Sequence, residues 1–159
     1  MIIRRRPLHA HSGFSLLEVL IAMLILAIGL LGMAGLVLQS MKSNQSSYQR
    51  TQASLLSYDM AERIRLNPAV ARDTTSYVLT STATPGTNPA CTAGCSKTDT
   101  AQRDVFEWST AVAAQGLSGT VSKANTTEYL ITVSWDVSLS NADSGCGSTT
   151  CSFQLRVNL

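Results

Sequence analysis

The segment GFSLLEVLIAMLILAIGLLGMAGLVL, from Gly13 to Leu38, decides how this chain is built. Its last twenty residues, Val19 to Leu38, carry no charge and are almost all apolar. As a helix they would extend roughly 30 Å, which matches the hydrocarbon thickness of a bilayer. We therefore expect a membrane-spanning helix with one carboxylate, Glu18, at its start. An ionisable residue there costs free energy in hydrocarbon and so indicates a function.

The flanks of this segment predict its orientation. Arg4, Arg5 and Arg6 precede it, whereas only Lys42 and Arg50 lie nearby on the other side. The positive-inside rule then leaves the N-terminus cytoplasmic and the rest of the chain exported. An ordinary cleaved secretory signal does not fit, because its apolar region is shorter, about 7 to 15 residues, and its cleavage site follows that region.

Length, charge and histidine content limit the possible functions. A chain of 159 residues holds one ordinary domain in addition to the apolar segment. Removal of the first thirteen residues takes away three of the 12 basic side chains and leaves nine against 10 acidic ones, a net charge of −1. This balance argues against a nucleic-acid surface. Both histidines, His9 and His11, lie in the same stretch, so a shortened chain has no histidine-based catalysis or metal binding.

The start of the apolar segment resembles a known class of signal. A basic leader, then Gly13, then FSLLE from Phe14 to Glu18, is similar to the class III signal of type IV prepilins and type II secretion pseudopilins. The resemblance implies that an inner-membrane prepilin peptidase cuts after Gly13 and methylates the new amine of Phe14. It also implies that Glu18 pairs with the N-terminal ammonium of a neighbouring subunit, since desolvated opposite charges are better paired than separate. The alternative is a plain signal anchor with a snorkelling glutamate.

Three glycines, Gly29, Gly32 and Gly35, interrupt the apolar segment. Small residues let membrane helices approach closely, although glycine is also common in membrane helices in general. Many major pilins have a proline at the position of Gly35, and this chain does not. Local helix melting there is therefore not implied by the resemblance.

The helical pattern continues past the membrane segment. Asp59 and Arg63 lie at i,i+4 spacing and Glu62 and Arg65 at i,i+3 spacing, with apolar residues at helical intervals between them. Pro68 is expected to close the helix. Residues 14–66 would then form one helix of roughly 80 Å.

A narrower resemblance lies in this second half of the helix. The segments RTQA, Arg50 to Ala53, and YDMAERIRLN, Tyr58 to Asn67, are similar to the type IV pilus modification proteins called PilV. The similarity favours a minor pilin over a pseudopilin.

The remaining residues, 68–159, are called the head. Residues 69–98 are expected to be mostly loop with one short strand at Tyr77–Ser81. A short amphipathic helix follows, capped by Asp99 or Thr100 and ended near Gly116, with Ala101, Val105, Trp108 and Val112 on its apolar side.

Period-2 alternation then predicts strands. Tyr129–Leu139 and Phe153–Leu159 form a hairpin around the polar segment Ser140–Thr150, and Gly119–Lys123 adds a third strand. The predicted fold class is α+β, a long N-terminal helix packed against a small antiparallel sheet with one short extra helix. Trp108 and Trp135 are expected in the core.

Four cysteines, Cys91, Cys95, Cys146 and Cys151, all lie in the exported part. An even number in an oxidising compartment favours disulfides, and the spacing suggests Cys91 with Cys95 and Cys146 with Cys151, although sequence alone allows three connectivities. A zinc site is the rival, but the spacings are wider than the usual C-x2-C.

Nothing in the head indicates an enzyme or a cofactor. Asp99, Asp104 and Glu107 are best explained as the solvated side of the short helix, and no phosphate loop or nucleophile motif is present.

The expected organisation is a leader at 1–13, a transmembrane and filament-core helix at 14–38, a periplasmic amphipathic helix at 39–67 and a periplasmic head at 68–159. The resemblance implies a minor pilin that primes or tips a pilus needed for twitching motility and adhesion. Its expected partners are prepilin peptidase, other minor and major pilins, the inner-membrane assembly platform and, before assembly, membrane lipid. The alternatives are a type II secretion minor pseudopilin and a filament-borne pilin that binds a ligand or DNA.

Overall fold

The computed structural model describes residues 13–91, 94–137, 146 and 149–159. The chain divides into two compact units, residues 1–41 and residues 42–159. The helices are α1 (Leu16–Leu66), α2 (Pro68–Asp73) and α3 (Lys97–Ala114), and the strands are β1 (Ser118–Lys123), β2 (Glu128–Asp136) and β3 (Thr150–Asn158). The predicted α+β arrangement of a long N-terminal helix, a small antiparallel sheet and a short helix is confirmed.

The first unit consists of the start of α1 and the residues before it. The Ser15 hydroxyl and carbonyl both accept from the backbone N–H of Glu18, at 3.2 Å and 3.1 Å. A serine at the helix start satisfies a backbone donor that has no partner within the helix. Ser15 therefore caps α1, which begins at Leu16.

The second unit is built around one hydrophobic core. The C-terminal part of α1 contributes one side of its surface, on which Ala53, Met60, Ala61 and Ile64 are completely buried. The apolar side of α3 and the inner face of the sheet complete this core, with the largest buried side chains supplied by Trp108, Tyr77 and Tyr129. The expected core positions of Trp108 and Trp135 are confirmed.

The sheet has three antiparallel strands in the order β1-β2-β3. The buried residues alternate along β2, where Tyr129, Ile131, Val133 and Trp135 face the core. Their cross-strand partners on β3 are Val157, Leu155, Phe153 and Cys151. This alternation is the period-2 pattern that the sequence shows.

α1 ends at Leu66, as the position of Pro68 predicts. Pro68 is itself the first residue of a further short helix, α2, where a missing N–H costs nothing because that group has no helical acceptor. α2 lies in a part of the chain that is expected to be mostly loop. The predicted strand at Tyr77–Ser81 is wrong, since only an isolated bridge between Leu79 and Val121 forms there.

The start of α3 and the hairpin ends also differ from expectation. The helix is capped by Ser96, whose hydroxyl accepts from the Asp99 N–H at 3.1 Å while the Asp99 carboxylate accepts from the Ser96 N–H at 3.2 Å. Asp99 is therefore the third helical residue of a capping box and not the cap itself. β3 begins at Thr150, earlier than predicted, and the expected end of β2 at Leu139 lies outside the described residues.

Candidate assembly site

The apolar half of α1 is exposed along its whole length. Every residue from Gly13 to Leu38 is exposed, including Leu16 at 80% and Leu36 at 74%. It is the one helix among the described residues that is long and apolar enough to cross a membrane. A continuous apolar surface of this size is not stable in water and marks a membrane or protein contact.

Glu18 is the only charged residue between Phe14 and Leu38. It lies in the first turn of α1, where the helix dipole favours a carboxylate. Its side chain forms no ion pair with any residue in the described ranges of the chain. The structure therefore presents an exposed carboxylate beside the predicted new N-terminus at Phe14, which is itself 84% exposed.

The three glycines of this half-helix have no structural reason within the described chain. A Cβ atom added at Gly29, Gly32 or Gly35 would meet nothing within 4 Å. Contacts within this part of the chain therefore do not require glycine at these three residues.

The second half of α1 carries an ion-pair cluster formed by Arg63 with Asp59, Asp104 and Glu107. The Arg63 guanidinium lies 3.1 Å from a carboxylate oxygen of each. Asp59 is the i,i+4 partner that the sequence predicts, whereas Asp104 and Glu107 belong to α3. The cluster therefore joins the two helices.

Asp104 does not belong to the solvated face that the sequence predicts. Its side chain is only 18% exposed, and it accepts from Arg63 at 3.1 Å and from the Tyr77 hydroxyl at 2.9 Å. Burial and the hydrogen bond to Asp104 raise the pKa of Tyr77. Hydrogen bonds from Arg103 and Arg63 lower the pKa of Glu107, which stays partly exposed.

The segment Tyr58–Asn67, which carries the narrower family resemblance, therefore has a structural explanation. Met60, Ala61 and Ile64 fill the core, Arg63 holds α3, and the Asn67 amide donates to the Lys97 carbonyl at 2.7 Å. The motif is the surface on which the head packs. Its periodicity predicts the helix, but partners 41 and 44 residues away from Arg63 leave no local signal.

The cysteines form two disulfides. Cys91 is joined to Cys95, with Cα atoms 5.0 Å apart, and Cys146 to Cys151, with Cα atoms 5.4 Å apart. The sulfur atoms that a zinc site would need are thus used in covalent bonds. Cys151 is buried at the start of β3, so the second disulfide holds the end of the hairpin.

Two family models match adjacent parts of the chain. Residues 8–34 match the prokaryotic N-terminal methylation motif, and residues 35–106 match Type IV pilin Tt1218. No match was found among curated proteins or among solved structures. The first match covers Gly13, Phe14 and Glu18, and the second covers the end of the apolar segment, the rest of α1 and most of α3. The chain therefore carries a prepilin methylation motif followed by a segment similar to a type IV pilin, as expected of a structural subunit and not of an enzyme.

Proposed function

We propose that this protein is a minor pilin of a type IV pilus, inserted in the inner membrane and then drawn into the filament. The observation that carries the proposal is the exposed apolar half of α1, with Glu18 as its single charge beside a prepilin cleavage motif. A helix of this kind is satisfied by lipid before assembly and by other pilin helices after it.

The processing steps follow from the motif. Residues 1–13 are the leader, which stays in the cytoplasm and is removed by prepilin peptidase after Gly13. Methylation of Phe14 then leaves a secondary ammonium at the end of the helix. Residues 14–38 anchor the chain in the membrane as a single span, while residues 39–67 and the head lie in the periplasm.

Glu18 is proposed as the assembly charge. In lipid its carboxylate is unpaired, whereas the N-terminal ammonium of a neighbouring subunit would neutralise it in the filament. Extraction from the assembly platform into the pilus is then favoured by pairing of the two charges.

A minor role in pilus priming or tipping is supported by the PilV-like segment Tyr58–Asn67. In this chain the segment is the docking surface for α3. The same geometry would also serve a type II secretion pseudopilin, and the experiment has to separate the two.

The test is a deletion strain of the source organism, complemented with the wild-type gene. We expect loss or strong reduction of surface pili, twitching motility and adhesion, with normal export of folded exoproteins. Mass spectrometry of the complementing protein should show a chain that starts at N-methyl-Phe14. Normal piliation with defective exoprotein export would favour a type II secretion pseudopilin over a minor pilin. A chain that still begins at Met1 would contradict both functions.

A further inference from the structure

The two edges of the sheet differ in how they are covered. On the β1 side, Leu79 and Val121 exchange backbone hydrogen bonds of 2.9 Å and 2.8 Å, and the Thr82 N–H donates to the Gly119 carbonyl at 3.1 Å. On the other side, β3 pairs with β2 over nine consecutive residues without a bulge. β3 is thus the uncovered edge in the part of the chain that the structure describes.

The alternation of hydrogen bonds identifies the free backbone groups of β3. The Val137 N–H donates to the Thr149 carbonyl at 2.8 Å and the Leu159 N–H to the Thr127 carbonyl at 2.9 Å. In an antiparallel pair this pattern directs every second residue toward the neighbour, so the residues between them direct their N–H and C=O groups outward. The exposed residues Ser152, Gln154, Arg156 and Asn158 are among them.

The core-facing side of this edge is incompletely covered. Ile131 and Val133 on the central strand are fully buried, but their cross-strand partners, Leu155 and Phe153, are only half-buried. A further strand beside β3 would place its own apolar side chains next to these two. The inner face would then be closed.

β3 also lacks the features that protect edge strands. Such strands are usually short, bulged, or rich in lysine and proline. β3 has nine residues, no proline and no lysine, and Arg156 is its only charged residue. An edge of this kind pairs readily with an extended segment of another chain.

We propose that β3 accepts an extended segment of a different pilin-type subunit as a fourth strand. That segment would alternate apolar residues, which cover Phe153 and Leu155, with polar ones, of which the one beside Arg156 is neutral or acidic. This inference rests on the proposed function, because a subunit packed in a filament lies close enough to other pilins for backbone hydrogen bonds between chains.

A second copy of this chain fits less well. Antiparallel pairing of two β3 strands has a two-fold axis normal to the sheet, which would reverse the direction of the α1 segment that packs on the inner face. Subunits of one polar filament share one direction. Parallel two-fold pairing would set the apolar face of one copy beside the polar face of the other. A different subunit avoids both conflicts.

The experiment places the photo-crosslinker p-benzoylphenylalanine at one position of the full chain, in cells that assemble the filament. Gln154 tests the edge. Thr132 is its direct cross-strand partner on the central strand and shares the same solvent face, so it is the matched control. Leu24 in the exposed apolar half of α1 reports on assembly independently of the head.

We expect adducts with a different pilin chain from Gln154 and Leu24, and none from Thr132. Arg156→Pro removes one outward N–H, keeps the backbone bonds to β2 and loses the 2.8 Å ion pair with Glu128, so it should reduce the Gln154 adduct about fivefold or more. Arg156→Ala loses the same ion pair but keeps the N–H, so it should not reduce the adduct. An unchanged melting temperature and an intact Cys146–Cys151 disulfide establish folding. Ser152→Lys combined with Asn158→Lys replaces the proline variant if that variant unfolds.

Adducts from Leu24 without adducts from Gln154 would overturn this inference and leave the proposed function standing. Equal adducts from Thr132, a Gln154 adduct only with a second copy, or a Gln154 adduct unaffected by both edge variants would also overturn it. Absence of pilin adducts from Leu24 and Gln154 alike would overturn the proposed function as well.

Discussion

The indole N–H of Trp108 on α3 donates a 2.8 Å hydrogen bond to the backbone carbonyl oxygen of Leu56 on α1, 52 residues earlier in the chain. Trp108 is completely buried, so this bond is made away from water. On β1, a Cβ atom added to Gly119 would lie 2.6 Å from Cη2 of the Trp108 ring. Glycine at residue 119 therefore lets the sheet approach the tryptophan that holds α3 on α1.

The first prediction is that Gly119→Ala destabilises the second unit by about 1–3 kcal/mol, because overpacking moves a buried ring or the strand. Trp108→Phe removes the overlapping ring atoms, so Gly119→Ala should cost less in that background. The measurement is denaturant unfolding of the processed full chain in detergent, followed by tryptophan fluorescence.

Gly116→Ala is the control for this comparison of Gly119→Ala in the wild-type and Trp108→Phe backgrounds. Gly116 has a φ of 68°, and an added Cβ there would touch nothing within 4 Å. Its substitution should cost about 1 kcal/mol through backbone strain, independently of Trp108. An equal cost of Gly119→Ala in both backgrounds would contradict the steric explanation.

The second prediction concerns Arg63, whose loss leaves the half-buried carboxylate of Asp104 without its cation. We expect Arg63→Met to destabilise the second unit by about 1–3 kcal/mol. Arg65→Met is the matched control, since Arg65 pairs only with the exposed Glu62 and exposed pairs contribute about 0–1 kcal/mol. Comparable losses for the two variants would show that Arg63 does not fix α3 on α1.

The third prediction is a fall in stability at both ends of the pH range. The pKa of Glu107 is lowered in the folded state, so its contribution is present above its ordinary value of 4.5 and is lost as pH falls through the folded pKa. The pKa of Tyr77 is raised, so its contribution is present below 10.0 and is lost as pH rises from there toward the folded pKa. Unfolding free energies measured across pH should show both slopes.

Single variants assign these slopes. Glu107→Gln should flatten the acid slope, and Tyr77→Phe should reduce the alkaline one. Burial also raises the pKa of Tyr129, so part of the alkaline slope should remain in the Tyr77 variant. An alkaline slope that Tyr77→Phe leaves unchanged would show that the phenol near Asp104 is not its source.

The sequence predicts elements whose periodicity is strong and local. α1 and all three strands follow directly from helical and alternating patterns. The cap of α3 was missed, although the S-x-x-D signal from Ser96 to Asp99 is present in the sequence. The contact of Arg63 with α3 has no local signal, because it depends on tertiary packing. α2 is not predicted because Pro68 can either follow the end of one helix or begin the next.

The candidate assembly site was predictable for a different reason. Gly13, Phe14 and Glu18 form a contiguous motif, so their significance is visible before any folding. The edge of β3 is the opposite case. Which strand lies at the edge depends on the order of pairing, and no pattern within Thr150–Asn158 states that order.

The last prediction is that Glu18 matters for assembly and not for folding. Glu18→Ala and Glu18→Gln should leave the protein membrane-anchored and its head folded, because Glu18 lies in the first unit, far along the chain from the core. Incorporation into sheared filaments should fall at least about tenfold, since removal of one partner of a buried ion pair costs roughly 3–5 kcal/mol and 1.4 kcal/mol is a tenfold change. Glu18→Asp keeps the charge and should fall less.

Two further variants separate assembly from fold. Leu17→Ala changes the exposed apolar neighbour of Glu18 without changing charge and should assemble nearly normally. Trp135→Ser, at a core position, should lose the folded head altogether. Quantitative immunoblots of membrane and filament fractions, with limited proteolysis of the head, measure all of these outcomes. Normal incorporation of Glu18→Gln would show that the carboxylate does not act as a charge, and its place in the first turn of α1 would then be explained by the helix dipole alone.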